Sequence, residues 1–331
     1  MSDHHPVRFG ILGFGSFAER AILPAMQQCP VAVPVALQKR SRADAEAKAR
    51  EHGIPHACST AEELCALADV DAVFIVSANG AHCAETIAAA RAGKHVLVEK
   101  PMACSVQEAE AMIAACAEHK VHLMVAHMIR FSPMVQRMRE IVMSGALGHI
   151  VFARADFVYD GRLSKRAWLL DRPVAGGGPV FDVGVHCLDT LRYVLDDEVV
   201  TVQAVLDPKP TASATEKSGH LAMKFSGGTI GSIFCSYDAP VRRKDIEIMG
   251  TEGRLRADEF TVGSISATLR IDGGKDSHPV PSREEVFDIP NLYVQEITNL
   301  VDAVRSGATL LSPGENGLAN QRILNRALEI G

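Results

Sequence analysis

The chain has 331 residues, of which 47% are hydrophobic and 22% are charged, and its formal net charge at pH 7 is -6. This length is greater than one hydrophobic core usually organises, so we expect two domains. The mild acidity argues against a nucleic-acid partner, which needs a clustered basic surface. A run of about 18 apolar residues, as a membrane span would need, is not found, so we expect no membrane span.

Eight cysteines are scattered along the chain without a Cys-x-x-Cys pair or the spacing of a metal site. In a chain of this length they are typical of buried thiols in a reducing compartment and not of a disulfide framework. Residues 1–6 lack the charged and then apolar pattern of a signal peptide. We therefore expect a cytoplasmic protein.

The first 125 residues alternate short apolar runs with Ala- and Glu-rich stretches at helical spacing. This alternation predicts a parallel sheet with helices on both faces, because the strands are apolar along nearly their whole length. The predicted strands are 7–12, 33–37, 72–76, 95–98 and 122–126, and the predicted helices are 42–52, 81–92 and 106–119.

From about residue 150 the pattern changes to alternating apolar and polar residues separated by Gly-containing breaks. This pattern predicts an antiparallel sheet that is open on at least one face. The predicted strands are 199–206, 220–225, 229–236, 245–249 and 267–271, followed by helices at 291–306 and 313–329. Residues 208–217 are predicted to form an exposed loop.

The expected fold class is therefore α/β. Residues 1–125 are predicted to form a dinucleotide-binding Rossmann domain with a parallel sheet. Residues 126–331 are predicted to form a substrate and oligomerisation domain with a large open, mainly antiparallel sheet. The last helix, at about 313–329, is a candidate to pack back on the first domain.

A glycine-rich segment follows the first predicted strand and reads Gly13-Phe14-Gly15-Ser16-Phe17-Ala18. In this G-x-G-x-x-A pattern, Gly13 permits a tight turn, Gly15 lets the backbone approach a pyrophosphate, and Ala18 allows close packing of helix on strand. The free N–H groups at the start of that helix point at the anion. Such turns also occur without nucleotides, but at the first strand of a βαβ series this one favours a dinucleotide site.

The end of the second predicted strand distinguishes NAD from NADP. An acidic residue there would bind a ribose 2′-hydroxyl, but no acid occurs until Asp44. Lys39, Arg40 and Ser41 occupy this position instead. This cluster would neutralise the charge of a 2′-phosphate, to which the guanidinium group of Arg40 offers several N–H donors. The alternative is that these residues are solvated at the start of a helix. NADP(H) is favoured over NAD(H) as the cofactor.

Lys100 follows the predicted strand at 95–98, between Glu99 and Pro101. Ligands of open α/β sheets bind outside the carboxyl ends of the strands, so Lys100 should face the cofactor crevice. Its amine can donate a hydrogen bond to a reacting oxygen. Pro101 cannot extend the strand, and the bond between residues 100 and 101 is a candidate cis peptide bond.

Several motifs in this order resemble the Gfo/Idh/MocA family of oxidoreductases, and the resemblance covers essentially the whole chain. They are the glycine-rich segment 13–18 (the glycine loop), the segment 77–82 with Ser77, Asn79 and His82, the segment Glu99-Lys100-Pro101, and the segment 176–186 with Asp182 and His186. The resemblance implies an amino-terminal Rossmann domain and a carboxy-terminal α/β domain with a large open sheet.

The same resemblance implies a catalytic group of Lys100, Asp182 and His186. It also implies that the cofactor contacts the glycine loop and the motif residues Ser77, Asn79, His82, Glu99, Lys100 and Pro101. Where the family usually has Thr-Pro-Asn, this chain has Ser77-Ala78-Asn79, a departure that removes a proline from the cofactor loop.

Asp182 and His186 are four residues apart, which places both on one face of a helix that begins after the Gly-rich turn at residues 176–178. A carboxylate one turn from an imidazole can orient the ring. His186 then suits proton transfer with a substrate hydroxyl or carbonyl group, while Lys100 would polarise that oxygen. An isolated Asp-x-x-x-His pair is more often a helix cap or a surface pair, so this interpretation depends on Lys100 in its motif.

Three further residues are candidates for the substrate side of the crevice. His127 and Arg130 follow the strand at 122–126, and a hydrogen bond near the domain linker is their structural alternative. Trp168, the only tryptophan, could stack on a sugar ring or on the nicotinamide, and packing beneath the helix is its alternative. We expect no metal, because no third and fourth ligands occur at a spacing that matches Asp182 and His186.

Together these features predict a NAD(P)-dependent oxidoreductase that interconverts a secondary alcohol and a ketone on a sugar or polyol. Within the family, residues 170–178 and 189–197 are most similar to members that use NADPH to reduce a keto-sugar. The alternatives are an inositol or trans-dihydrodiol dehydrogenase and a non-catalytic NADP-binding redox sensor; a sensor would need none of the three catalytic candidates. Apolar alternation at 229–236 on the open sheet predicts a homodimer or homotetramer.

Overall fold

The structure is a computed structural model that describes residues 5–161, 166–261, 265–273 and 282–331. In these ranges no helix is both long and apolar enough to cross a membrane. The strands, in chain order, are β1 (Val7–Leu12), β2 (Ala32–Gln38), β3 (His56–Cys58), β4 (Ala72–Ile75), β5 (His95–Val98), β6 (Leu123–Val125), β7 (Ile150–Asp160), β8 (Val199–Asp207), β9 (Ser218–Phe225), β10 (Ile230–Ser236), β11 (Asp238–Arg243), β12 (Ile246–Gly250), β13 (Gly253–Ala257), β14 (Ile265–Gly273) and β15 (Arg283–Ile289).

The α-helices are α1 (Leu23–Gln28), α2 (Arg42–His52), α3 (Ala61–Cys65), α4 (His82–Arg91), α5 (Val106–Glu118), α6 (Pro133–Met143), α7 (Arg172–Ala175), α8 (Val185–Leu195), α9 (Leu292–Ser306) and α10 (Gly314–Ile330). Backbone contacts divide the chain into two compact units. Unit 1 runs up to His127 and includes Tyr293–Gln321, and unit 2 comprises Met128–Leu292 and Arg322–Gly331. The domain boundary drawn between residues 125 and 126 stays a prediction.

Unit 1 contains a parallel sheet whose strands, among the described residues, lie in the order β3-β2-β1-β4-β5-β6. This is the order of a Rossmann fold, in which ligands bind at the switch point between β1 and β4. The residues of β4 are all buried, as expected for a strand covered on both faces. The predicted α/β class and parallel sheet are confirmed.

Unit 2 contains a large sheet in the order β15-β14-β13-β12-β7-β10-β9-β8, with β11 also paired to β7. Its neighbouring strands are antiparallel except for β7 and β10, which are parallel. The predicted open, mainly antiparallel sheet is confirmed. On β9 every second residue from Gly219 to Phe225 is buried, so one face of the sheet packs on the core and the other is open.

The central strand β7 was missed in the sequence, and the prediction of a wholly exposed loop at 208–217 was wrong at its end. Residues 155–158 of β7 are all buried, and Asp156 on the open face lies among ion pairs with Arg154 and Arg243. In the sequence, apolar and polar residues alternate only over residues 153–157, between the apolar runs 150–153 and 157–159, so the strand pattern is short. In the loop, Thr215 and Glu216 are buried.

Candidate active site

The glycine loop of unit 1 lies at the switch point of the parallel sheet. Gly13 has a φ of 77°, and a Cβ at this position would lie 2.5 Å from the Cα of Ser77. Only glycine fits there, because the ends of β1 and β4 approach each other closely. A Cβ on Gly15 would meet nothing nearer than a carbonyl oxygen at 3.8 Å. The packing of unit 1 leaves open space at Gly15, and that space fits the diphosphate of a dinucleotide.

The end of β2 holds this loop in place. The N–H of Phe14 donates to the carbonyl of Gln38 at 2.8 Å, and the N–H of Gly13 donates to Gln38 Oε1 at 3.1 Å. Ser16 is exposed, and Phe17 precedes the π-helical turn Ala18–Ile22 that continues as α1. The first N–H groups of a helical run have no acceptor within it, so they can bind an anion.

The three cofactor candidates after β2 have different environments. Lys39 Nζ donates to the carbonyl of Phe14 at 2.9 Å. Ser41 Oγ caps α2 by accepting from the N–H of Asp44 at 3.3 Å. Arg40 is exposed, and no described residue forms a hydrogen bond or ion pair with its guanidinium group. Arg40 therefore has free donors where a 2′-phosphate would be expected.

A buried histidine connects the loops that follow β4 and β5. His82 Nδ1 lies 3.1 Å from the carbonyl oxygen of Pro101, and Nε2 lies 3.2 Å from that of Ser77. Burial lowers the pKa of His82 to about 4, so the ring is neutral and its one N–H donates to one of these carbonyls. Asn79 is buried in the same loop, and Ser77 Oγ donates to Glu85 at 2.6 Å. These contacts shape the loop without the family's proline.

The motif Glu99-Lys100-Pro101 begins where β5 ends. Glu99 is buried, and its Oε2 accepts from the N–H of Lys100 at 3.1 Å. The Lys100–Pro101 bond is cis, which confirms the prediction. Lys100 is half-buried and lies on the edge of the parallel sheet where the other cofactor candidates lie. The residues of unit 1 thus fit a nicotinamide dinucleotide.

In unit 2 a glycine-rich turn leads into the helix that carries Asp182 and His186. The π-helical turn Val180–Gly184 continues without a break as α8, of which His186 is the second residue. Asp182 lies in the π-helical turn and is 5% exposed, and His186 is half-buried. The predicted helix is present, but α-helical spacing does not apply to Asp182, because a π turn closes its hydrogen bonds over five residues.

The carboxylate of Asp182 is held by donors from two other segments. It accepts from the Tyr159 hydroxyl at 3.0 Å and from the terminal nitrogens of Arg166 at 3.3 Å. Burial, and then the charge of Asp182, raises the pKa of Tyr159, which is therefore a neutral donor. Burial by itself would lower the pKa of Arg166, but the Asp182 charge raises it above its usual value. Asp182 is fixed in orientation, as expected of a group that positions a substrate.

His186 is packed against an aromatic ring of the central strand. It stacks on Phe157, with ring centroids 6.0 Å apart and an interplanar angle of 25°. Phe157 and Tyr159 are two residues apart on β7 and so project from the same face of the sheet, one to His186 and the other to Asp182. Lys244 Nζ lies 5.3 Å from the Phe157 centroid, and burial lowers the pKa of Lys244 to about 8.

Tyr159, Arg166 and Tyr237 surround Asp182 and were not identified from the sequence. Tyr237 packs edge-on against Tyr159 at 5.2 Å, and burial raises its pKa well above normal. The only sequence signal was the aromatic spacing of residues 157 and 159 on the missed strand β7. For Arg166 and Tyr237 there was no local signal, because tertiary folding brings them to Asp182.

The remaining candidates have structural contacts. Arg130 is 8% exposed and forms a bidentate ion pair with Asp189 at 2.8 and 2.9 Å. His127 is buried in unit 1, where its Nε2 lies 3.1 Å from Asn320 Nδ2. These contacts are of the structural kind that the sequence left open, and the substrate roles of both residues stay predictions. Trp168 is half-buried and lies in the turn Ala167–Leu170, which directly follows Arg166.

The predicted catalytic residues are divided between the two units. Lys100 belongs to unit 1, and Asp182 and His186 belong to unit 2. Asp182 and His186 lie on one continuous helical segment. Their grouping with Lys100 stays a prediction.

Comparison with known proteins identifies both parts of the chain. The model of an oxidoreductase family with a NAD-binding Rossmann fold matches residues 7–127, and the model of the GFO/IDH/MocA C-terminal domain matches residues 135–256. The chain is 30% identical over 312 residues to a 1,5-anhydro-D-fructose reductase of Ensifer adhaerens, covering 94% of this chain and 92% of that protein.

Two other similarities extend over nearly the full length. A D-xylose 1-dehydrogenase (NADP(+)) of Haloferax volcanii is 31% identical over 324 residues, covering 97% of this chain and 96% of that protein. The crystal structure of an aldose-aldose oxidoreductase of Caulobacter crescentus matches with a TM-score of 0.86 at 28% identity over 98% of both chains. The chain therefore belongs to the Gfo/Idh/MocA family of oxidoreductases and is an enzyme with an NAD(P)-binding Rossmann domain.

Proposed function

We propose that this enzyme uses NADPH to reduce a keto-sugar to the corresponding secondary alcohol. The observation that supports this most directly is the helical segment of unit 2, on which His186 is accompanied by a carboxylate, Asp182, held by Tyr159 and Arg166. The similarity to a 1,5-anhydro-D-fructose reductase supports a sugar ketone as the substrate.

In the proposed mechanism the residues of this chain handle the oxygen and its proton. When bound, the cofactor supplies the two electrons and the hydrogen that the carbonyl carbon gains. Lys100 donates a hydrogen bond to the carbonyl oxygen and stabilises the negative charge that develops there. His186 delivers a proton to that oxygen. Asp182 binds a neighbouring hydroxyl group of the sugar or orients His186.

Unit 1 would hold the cofactor along one edge of its sheet. The diphosphate would lie over Gly13–Phe17, and the nicotinamide end would contact the loops of Ser77, Asn79, His82 and Glu99–Pro101. The 2′-phosphate of NADPH would bind Arg40 and Ser41, because Arg40 has no partner among the described residues and Ser41 begins α2. The NADP(+)-named D-xylose relative also supports this choice.

We also propose that the enzyme is a homodimer or homotetramer formed through the open face of the unit 2 sheet. Exposed apolar side chains stand on this face, and Val205 and Phe234 are 72% and 39% exposed. Val205 pairs with His220, which pairs with Phe234, so they form one row across β8, β9 and β10. The variant Phe234→Asp is expected to give monomers in sedimentation analysis, and an unchanged mass would contradict the interface.

The function is tested by mixing the enzyme with NADPH and a panel of keto-sugars that includes 1,5-anhydro-D-fructose. We expect loss of the absorbance of the reduced nicotinamide with at least one sugar. The variant Lys100→Met should lose about 10²–10³-fold in kcat and still bind NADPH, and full activity in this variant would refute the proposed role of Lys100.

The 31% identity to a D-xylose 1-dehydrogenase favours a second candidate, oxidation of an aldose with NADP+. Turnover with D-xylose and NADP+, and with no keto-sugar, would replace the first proposal by the second. NADPH binding without turnover of any substrate would indicate a redox sensor.

A further inference from the structure

We propose that Glu216 is a positioning residue of the active site, which fixes the amino end of the helical segment that carries Asp182 and His186. This inference rests on the proposed function, because that function gives His186 its role. Glu216 lies in the segment that was predicted to be an exposed loop, and it is 0% exposed.

The side chain of Glu216 accepts a hydrogen bond from the start of the helical segment. Its Oε1 accepts from the N–H of Val180 at 3.1 Å, and Val180 is the first residue of the π-helical turn. The first N–H groups of a helix have no acceptor within it, and a carboxylate at this end also interacts favourably with the helix dipole. The contact lies two residues before Asp182, so movement of Val180 would move Asp182.

The backbone of Glu216 makes a second contact with the same turn. A Cβ on Gly178 would lie 2.0 Å from the carbonyl oxygen of Glu216. Glycine at 178 therefore allows the two backbones to approach. The side chain of Glu216 thus accepts a hydrogen bond from Val180, and its backbone packs closely against Gly178, two residues earlier.

The segment that carries Glu216 is itself tied to the turn beside Arg166. The N–H of Thr215 donates to the carbonyl of Leu170 at 3.3 Å, and its hydroxyl donates to that of Leu169 at 3.1 Å. Arg166 immediately precedes this turn and binds Asp182. Thr215 and Glu216 together therefore connect the two segments whose relative position decides whether Arg166 reaches Asp182.

The charge of Glu216 makes this role dependent on pH. Burial raises the pKa of Glu216, and the N–H groups of Gly178 and Val180 and the charge of Arg172 oppose that rise. The thiol of Cys235 also faces it and is held neutral by burial, which raises the pKa of Cys235. As the pH falls, Glu216 takes up a proton at a higher pH than an ordinary glutamate and becomes a weaker acceptor. Activity should then decline on the acid side.

The test compares Glu216→Gln and Glu216→Ala with a matched control at the other end of the same helix. Glu198 pairs with Arg192 of α8 at 2.6 Å, so Glu198→Gln also removes one charge from a contact with this helix. For each variant, kcat and KM for the keto-sugar, the Kd for NADPH, the pH profile and the melting temperature are measured.

We expect Glu216→Ala to lose about tenfold to hundredfold in kcat/KM, because it leaves buried N–H groups unsatisfied, with an unchanged Kd for NADPH. Glu216→Gln retains an acceptor oxygen, so it should keep most of the activity at neutral pH. On the acid side of its pH profile (the acid limb), the fall of kcat/KM should depend on one proton fewer than in the wild type. Glu198→Gln should change only the melting temperature. If Glu216→Ala does not fold, the Gln variant still gives the pH profile.

Two results would overturn the positioning role. One is wild-type kcat, KM and acid limb in Glu216→Gln, and the other is an equal loss of activity in Glu198→Gln. The variant His186→Asn is measured beside them: if it is fully active, the proposed function fails, whereas an inactive His186→Asn with a wild-type Glu216→Gln refutes only the role of Glu216.

Discussion

The candidate cofactor site of unit 1 and the candidate substrate site of unit 2 are built in different ways. In unit 1 the candidates lie in short loops after parallel strands, and main-chain groups of residues such as Gly13 and Phe14 make the contacts. In unit 2 the site consists of side chains from separate segments, with Tyr159 on β7 and Arg166 before a short turn, both directed at Asp182. A site made of main chain depends on local conformation, whereas a site made of side chains depends on packing between distant segments.

The largest expected effect is on the pH dependence of the free energy of unfolding, and it comes from His82 of unit 1. Its pKa of about 4 lies below that of an exposed histidine, so between pH 6.5 and pH 4 this residue binds a proton in the unfolded chain and not in the folded one. The contribution of His82 to the free energy of unfolding should therefore fall as the pH falls through this window, by about 3 kcal/mol. Chemical denaturation at several pH values measures this slope.

The variant His82→Asn should be less stable at neutral pH and should show a flatter slope. His149 is exposed, so His149→Asn is the matched control and should retain the wild-type slope. Equal slopes in all three proteins would contradict the assignment of a buried neutral ring at position 82.

In unit 2, Tyr159→Phe removes one donor from a buried carboxylate. The loss of a hydrogen bond to a charged group costs about 2 kcal/mol, so kcat/KM for the sugar should fall roughly thirtyfold. The Kd for NADPH should not change, because Tyr159 belongs to unit 2. Tyr193→Phe on α8 keeps its ring contact with Arg130 and serves as the control, and a similar loss in both variants would argue against a specific role of Tyr159.

Substitution of two glycines in the same loop by alanine should affect different properties, stability in one case and cofactor binding in the other. Gly13→Ala places a Cβ against the backbone of Ser77 at a positive φ, and it should lower the free energy of unfolding by about 1–3 kcal/mol. Gly15→Ala meets open space, so it should leave the stability unchanged and weaken cofactor binding. Melting curves and cofactor titrations distinguish the two, and a destabilised Gly15→Ala would show that this space is needed for folding.

The smallest effect concerns the choice of cofactor. Arg40→Ala should raise the Kd for NADPH about tenfold, or about 1.4 kcal/mol, and leave the Kd for NADH unchanged. Arg50→Ala removes another exposed arginine of the same region and should change neither value. Equal losses of NADPH and NADH affinity in Arg40→Ala would refute the preference for NADP(H).

The same contrast explains which predictions from the sequence were successful. Five of the six strands of unit 1 were found because their apolar runs are continuous, as expected for strands covered on both faces. The strand β3 was missed because its three residues, His56–Cys58, do not form an apolar run. The strand β7 was missed because its alternation of apolar and polar residues covers only residues 153–157 and is interrupted by apolar runs on both sides. Glu216 was assigned to an exposed loop because polar residues surround it in the sequence, whereas in the structure it is buried and accepts from the N–H of Val180.

Five strands of unit 1, the tight turn at Gly13 and the helix that carries His186 could be predicted from the sequence, because hydrophobic periodicity and glycine conformation act over a few neighbouring residues. The short elements β3 and α3 gave no such signal. The side chains that surround Asp182 and the burial of Glu216 depend on tertiary packing. The contacts of Asp182 with Tyr159 and Arg166 span 23 and 16 residues of sequence, and such contacts arise from the packing of whole elements, which leaves no periodic signal in the chain.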